Sequence, residues 1–181
     1  MKKVLVTLVL CVIALTAKAQ ANEMSASAQF ILGAGQGIAN PGLGVKFSYG
    51  ITDPWRVAAS FDYGFKTGKD ISSWDLNFDA HYQFYFGKGF RVYPLAGLTF
   101  LNYTWKMDKT MYNIYKAMAI EEGEKVPDRP KDKTFCVGMN LGGGFQYDIN
   151  DQWAVYSEIK GQLVSKDGSR FVWSVGGSYK F

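Results

Sequence analysis

The sequence predicts an all-β protein, an eight-stranded antiparallel up-and-down transmembrane β-barrel with oily side chains toward lipid and charged ones toward the lumen. Three observations predict it. Seven runs alternate apolar and polar residues with a two-residue period and an eighth takes its register from its turn, the mark of strands with two unlike faces. Across those runs the apolar face carries no Asp, Glu, Lys or Arg. The N-terminus reads as an export signal, and the final Phe181 falls on an apolar face, where a membrane barrel places its interfacial aromatic girdle.

Lys2 and Lys3 precede an apolar stretch over 4–15, and Ala17-Lys18-Ala19-Gln20-Ala21 follows. A basic head, a short apolar stretch and an Ala-x-Ala site make a secretory signal peptide. Cleavage is expected after residue 19 or residue 21, leaving one barrel domain over 20–181. The apolar stretch is too short for a spanning helix. Leu10 before Cys11, with the apolar run continuing beyond it, argues against a lipoprotein. The chain carries +4, and Lys2, Lys3 and Lys18 leave with the signal, so the mature protein is near neutral, which removes the case for nucleic acid. Only Cys136 survives cleavage, so no intrachain disulfide is expected. No later run reaches helical span length, and a closed sheet is the other way to satisfy backbone groups in hydrocarbon.

The first run, 28–34, sets Phe30 and Leu32 against Gln29 and Gly33. Residues 36–42, with Asn40-Pro41-Gly42, read as a turn. The second run sets Leu43, Val45, Phe47, Tyr49 and Ile51 against Lys46 and Ser48. The third sets Trp55, Val57, Phe61 and Tyr63 against Arg56, Ser60 and Asp62, and a polar loop over 66–71 follows. The fourth is the cleanest: Trp74, Leu76, Phe78, Ala80, Tyr82, Phe84 and Phe86 oppose Asp75, Asn77, Asp79, His81 and Gln83.

The fifth run, 90 to about 105, is apolar on both faces, and its register comes from its turn. Residues flanking a three-residue hairpin loop share a face, which puts Phe90, Val92, Ala96, Leu98 and Phe100 on the oily side and Arg91 on the wet side. Pro94 lacks a ladder donor and is expected to force a bulge. The sixth run sets Phe135, Val137, Met139, Leu141, Phe145 and Tyr147 against Cys136, Asn140, Gln146 and Asp148. The seventh sets Trp153, Val155, Ile159 and Leu163 against Tyr156, Glu158, Lys160 and Gln162. The eighth sets Phe171, Trp173, Val175, Tyr179 and Phe181 against Val172, Ser174, Ser178 and Lys180. Short turns gather at one end, and longer polar loops, including an extracellular loop over 106–133, gather at the other.

A soluble barrel would have to pack some dozen aromatic rings into an eight-stranded interior, which holds only side-chain filling or one small ligand. Turned inside out, the rings meet lipid. The wet face then brings Lys46, Arg56, Arg91, Lys160 and Lys180 together with Asp62, Asp75, Asp79, Asp148 and Glu158. Balanced signs predict a network of lumen ion pairs in place of a single-sign pore.

These features resemble a known family. The alternating strands, Thr52-Asp53-Pro54-Trp55, Asn150-Asp151-Gln152-Trp153 and terminal Phe181 are similar to small outer-membrane β-barrels of the OmpX, OmpA-barrel and opacity type. Around Phe90-Arg91-Val92-Tyr93-Pro94-Leu95-Ala96-Gly97 the chain looks like Bacteroidetes "porin family" proteins. The resemblance implies a bacterial outer-membrane location, with outer-membrane lipid, lipopolysaccharide and the barrel-assembly machinery as partners. It also implies an assembly signal in the terminal alternation of Trp173, Val175, Tyr179 and Phe181. That family spans adhesins, structural anchors, small channels and lipid-modifying enzymes. No wall-binding domain follows Phe181, so tethering to the wall by one is not expected.

No catalytic, cofactor or metal site is expected. His81 is the only histidine, has no neighbouring Ser on its face, and reads as a hydrogen-bonded lumen residue. One His and one Cys make no metal-ligand spacing. Gly142-Gly143-Gly144 lies mid-strand without the helix and Lys of a phosphate loop and is expected to permit a tight barrel's bend. The best functional candidate is the loop over 106–133, where Met111, Tyr112, Tyr115 and Met118 fall on a short amphipathic helix broken by Gly123 and Pro127. Lys66, Lys69, Lys106, Lys109 and Lys116 sit where they can reach lipopolysaccharide phosphates. The expected function is non-enzymatic, structural or adhesive through the outer loops, with a host or cell-surface ligand left open. A narrow channel is the alternative, and a lipid-A-modifying enzyme the remaining one.

Overall fold

Successive side chains on a strand point to opposite faces, so an unbroken alternation of lipid-loving and polar residues specifies long strands sharing one oily side. The computed structural model describes residues 23–35, 38–67, 71–87, 89–107, 109–121, 128–165 and 169–181. Its strands are β1 (Met24–Gly35), β2 (Ile38–Gly50), β3 (Trp55–Thr67), β4 (Ile71–Tyr82), β5 (Phe84–Phe86), β6 (Phe90–Lys106), β7 (Lys131–Asp148), β8 (Trp153–Val164) and β9 (Arg170–Lys180). Among the described residues one helix, α1 (Lys109–Glu121), lies between β6 and β7. The expected signal peptide lies outside the described residues.

All strand pairs are antiparallel. β9 pairs with β1, and β4 pairs with β6, which closes the sheet. β4 and β5 are one barrel strand interrupted near Gln83. Both keep the same register on β6, as His81↔Leu95 and Phe84↔Val92 show. The barrel is therefore closed, antiparallel and eight-stranded. The interruption falls opposite Pro94, and β6 pairs with β7 without a shift through Pro94↔Gly143. The expected bulge at Pro94 is thus corrected: the missing N–H breaks the ladder locally without inserting a residue.

Three other expectations change. Asn40-Pro41-Gly42 is strand, paired with Gly33, Leu32 and Ile31. Pro41 is tolerated because β2 pairs with β3 only from Gly42 onward, so at Pro41 the strand has one neighbour. At the end where longer loops were expected, only the β6–β7 connection is long. That connection is itself shorter than 106–133, because Lys106↔Lys131 and Thr104↔Lys133 continue the hairpin. Lys66, placed in a loop by its polarity, belongs to β3.

The faces separate cleanly. Phe30, Phe61, Phe78, Leu98, Leu141, Ile159 and Val175 are exposed on the outer face, while Lys46, Arg56, Asp62, Asp75, Asp79, Glu158 and Lys160 are buried inside. The register inferred for the fifth run holds: Phe90 and Val92 are outside, Arg91 and Tyr93 inside. Inside, Ile31, Leu101, Cys136 and Val172 are apolar and buried. At the turn end Trp55 meets Tyr82 edge-on at 5.1 Å, and Trp153 meets Tyr179 likewise, forming part of an aromatic girdle. The glycine run on β7 admits close neighbours. A Cβ on Gly142 would lie 2.2 Å from the Ile159 carbonyl oxygen, and one on Gly144 3.0 Å from the Tyr93 ring.

On the lipid face, Trp173 Nε1 donates to Ser157 Oγ at 2.8 Å, so the indole N–H is not left bare in hydrocarbon. Ser157→Ala is expected to cost about 1 kcal/mol. The check is the urea midpoint of vesicle-refolded protein, which should fall with an unchanged slope. Ser157→Thr should restore it.

Candidate functional site

The candidate site is the lumen together with the loop end above it. The lumen stacks polar side chains in layers, each drawn from several strands because alternate residues of every strand point inward. At the turn end, Arg91 donates from Nη1 and Nη2 to Glu23 Oε1 and Oε2, both at 2.9 Å, and also pairs with Asp148. Lys180 Nζ lies 3.3 Å from the same Asp148 carboxylate. Gln146 Nε2 donates to Asp148 at 2.8 Å and its Oε1 accepts from Arg56 at 2.6 Å.

Arg56 Nε donates to His81 Nδ1 at 3.2 Å, and its guanidinium lies over the Tyr93 ring, which stacks on His81 at 4.8 Å. The expectation of a hydrogen-bonded lumen His81 matches this geometry. His81 is fully buried, with no serine hydroxyl bonded to it among the described residues.

In the middle layer Tyr93 Oη donates to Glu158 at 2.8 Å and Lys46 Nζ pairs with Glu158 at 2.6 Å. Lys160 pairs with Asp79 at 3.1 Å, and Asn140 Nδ2 donates to Asp79 at 2.7 Å. Tyr156 Oη donates to Gln29 Oε1 at 2.8 Å, and Gln29 Nε2 donates to Asp62. Toward the loop end, Asn77 Nδ2 donates to Asp75 at 2.6 Å and to Asp62 at 3.1 Å. Arg170 pairs with Asp75, donates from Nε to Gln162 Oε1 at 2.6 Å and from Nη1 to Ser73 at 3.1 Å. Such a network is stable because nearly every buried polar atom is satisfied, and removing one member leaves another stranded in low dielectric.

Eight of the ten wet-face charges lie in ion pairs: Lys46, Asp75, Asp79, Arg91, Asp148, Glu158, Lys160 and Lys180. Arg56 and Asp62 differ from expectation. Among the described residues neither has an opposite charge within ion-pair distance, because their strand positions bring neutral Gln, Asn, Ser and His side chains to them. Two charged members were missed. Arg170 shares the inward parity of Val172 and Ser174, a signal present in the alternation. Glu23 lies ahead of the first periodic run, where no period places it.

Trp173, Val175, Tyr179 and Phe181 all lie on the lipid-facing side, with Tyr179 packed on Phe181 at 5.7 Å. In α1, Met111, Tyr115 and Met118 are exposed, Tyr112 is half-buried and Ala119 is buried. Gly123, Pro127 and Lys69 lie outside the described residues. Lys66, Lys109 and Lys116 are exposed and Lys106 is half-buried. The hairpin adds two lysines that sequence reasoning left out. Lys131 and Lys133 share the outward parity of Phe135, beside Lys106 and Thr104.

A family model described as "Outer membrane protein beta-barrel domain" matches residues 5–181. The chain belongs to this outer-membrane β-barrel family. It is accordingly a protein of the bacterial outer membrane, seated in the lipid bilayer. Among curated proteins none matches the sequence. Solved structures share the fold. The N-terminal β-barrel domain of Pseudomonas aeruginosa OprF superposes with a TM-score of 0.61 at 18% identity, covering 87% of this chain and 97% of that one. Ail, the attachment invasion locus protein of Yersinia pestis, gives 0.58 at 14%, covering 88% and 97%. Ail in complex with the heparin analogue sucrose octasulfate gives 0.56 at 15%, with the same coverage.

Proposed function

We propose that this outer-membrane barrel is a non-enzymatic surface protein whose lumen is a structural plug and whose loop end binds anionic surfaces outside the cell. Short turns face the periplasm and the longer connection faces outward, the usual polarity of such barrels. The carrying observation is the outward face of the β6–β7 hairpin, where Lys106, Lys131 and Lys133 stand together beyond the aromatic band. Ammonium groups at that height meet lipopolysaccharide phosphates, and α1 adds Lys109 and Lys116 beside an exposed apolar stripe. The Ail complex offers a parallel for a polyanion on a barrel of this fold. Delivery relies on the signal peptide, and insertion on the assembly machinery reading Trp173 to Phe181.

The triple change Lys106→Glu, Lys131→Glu and Lys133→Glu should weaken association with lipopolysaccharide, and added salt should weaken it in the unmodified protein, as screening requires. Unchanged association after charge reversal removes the reading. In planar bilayers the filled lumen should pass almost no current, and a steady open level would favour the channel instead. Lipid A mass spectra should be the same with and without the protein.

A further inference from the structure

We propose that the turn end of the lumen holds a binding site for one small oxyanion, of the carboxylate or phosphate class, with the Arg56 guanidinium as its principal donor. A cavity of about 140 Å³ opens there, lined by Arg56, Gln83, Tyr85, Arg91 and Gly50 and by the acidic residues Glu23 and Asp53, the latter solvent-exposed. At roughly 30 Å³ per water, it has room for an ion of this size with one or two waters, and none for a nucleotide.

Charge accounting singles out Arg56. Lys46, Arg91, Lys160, Arg170 and Lys180 each have a carboxylate within ion-pair distance. Arg56 is as deeply buried, at 6% exposure, and among the described residues it has none. Its partners are neutral, His81 Nδ1 and Gln146 Oε1. Those bonds use Nε and one N–H on each terminal nitrogen, and the Tyr93 hydroxyl also accepts from the guanidinium, so at least one of the five N–H groups remains. A guanidinium fork matches carboxylate and phosphate oxygens, and a buried cation without a counter-charge is unfavourable.

The walls suit the same ligand. Arg91 is already held by Glu23 and Asp148, so the Glu23 carboxylate is engaged and does not oppose an incoming anion as a free charge. Gln83 lines the cavity with its amide nitrogen buried and unpartnered among the described residues. The Tyr85 hydroxyl lies 3.1 Å from Gln83 Oε1 and 2.8 Å from the Asp53 carbonyl oxygen, and Gln83 N donates to the Pro54 carbonyl oxygen at 2.7 Å. These contacts pin the wall to the β2–β3 turn.

The test uses the detergent-folded chain in chloride-free buffer, titrated with inorganic phosphate and, separately, with acetate. Nitrogen–proton spectra follow the Arg56 Nε–H and the Gln83 side-chain amide. The expected result is a saturable shift of both with at least one anion, and the responding anion identifies the class. Saturation should disappear in Arg56→Gln and in Gly50→Leu. The second variant fills the cavity where a Cβ meets nothing closer than 3.5 Å, and it leaves the bonds from Arg56 to His81 and Gln146 in place. It therefore decides the matter even if Arg56→Gln does not fold. Shifts that never saturate, or that persist unchanged in Gly50→Leu, mean screening by bulk anions only and overturn the proposal.

Discussion

Replacing Leu141 with arginine is expected to destabilise the folded barrel by about 2–4 kcal/mol, the cost of a basic side chain facing lipid near the bilayer midplane. Leu141 is half-exposed on the outer face of β7. Its cross-strand neighbours are the small residues Ala96 and Gly161, so the long side chain meets acyl chains and not a steric obstacle. On a water-facing surface the same change would stay within about 0.5 kcal/mol. Reversible urea unfolding from lipid vesicles separates the two. A loss smaller than about 1 kcal/mol would show that the outer face is wet. Spin labels at Phe78, Leu141 and Val175 should likewise report lipid and not water.

Removing the Arg170 side chain should be costlier still. Asp62 and Asp75 are directly paired across β3 and β4, both fully buried, and like charges in that position repel. Arg170 supplies the ion pair to Asp75 and also donates to Gln162 and Ser73. Arg170→Met strands the Asp75 carboxylate in the lumen, and breaking a buried pair from one side costs about 3–5 kcal/mol. Asp75→Asn in the same molecule removes the stranded charge and should recover a large part of the loss. Simple additivity of the two losses in a double-mutant cycle would mean the residues are not coupled.

These two outcomes bear on different levels of legibility. Which side of the wall each residue occupies was readable, even for β6, whose apolar faces are ambiguous until the short turn beside Phe90 sets the parity. Proline was misleading twice, at Pro41 and at Pro94. Its missing donor is a local fact, but its cost depends on whether a neighbouring strand is present to need it. The hairpin lysines Lys131 and Lys133 were hidden because their charge reads as loop, although strand pairing with Thr104 and Lys106 continues through them.

Alternation by itself determined the barrel, its inverted polarity and the inward side of the ten charges it placed, since the direction of Cβ reverses at every residue of an extended chain and hydrocarbon excludes ions. The partners of those charges were decided only by tertiary structure. Arg170 and Asp75 are 95 residues apart, and closing β9 onto β1 and β4 onto β6 sets the stagger that brings them together. The same closure leaves Arg56 beside a cavity and, among the described residues, without a carboxylate in ion-pair distance. Pairing across a lumen depends on strand offset and barrel closure, quantities that a two-residue period does not contain.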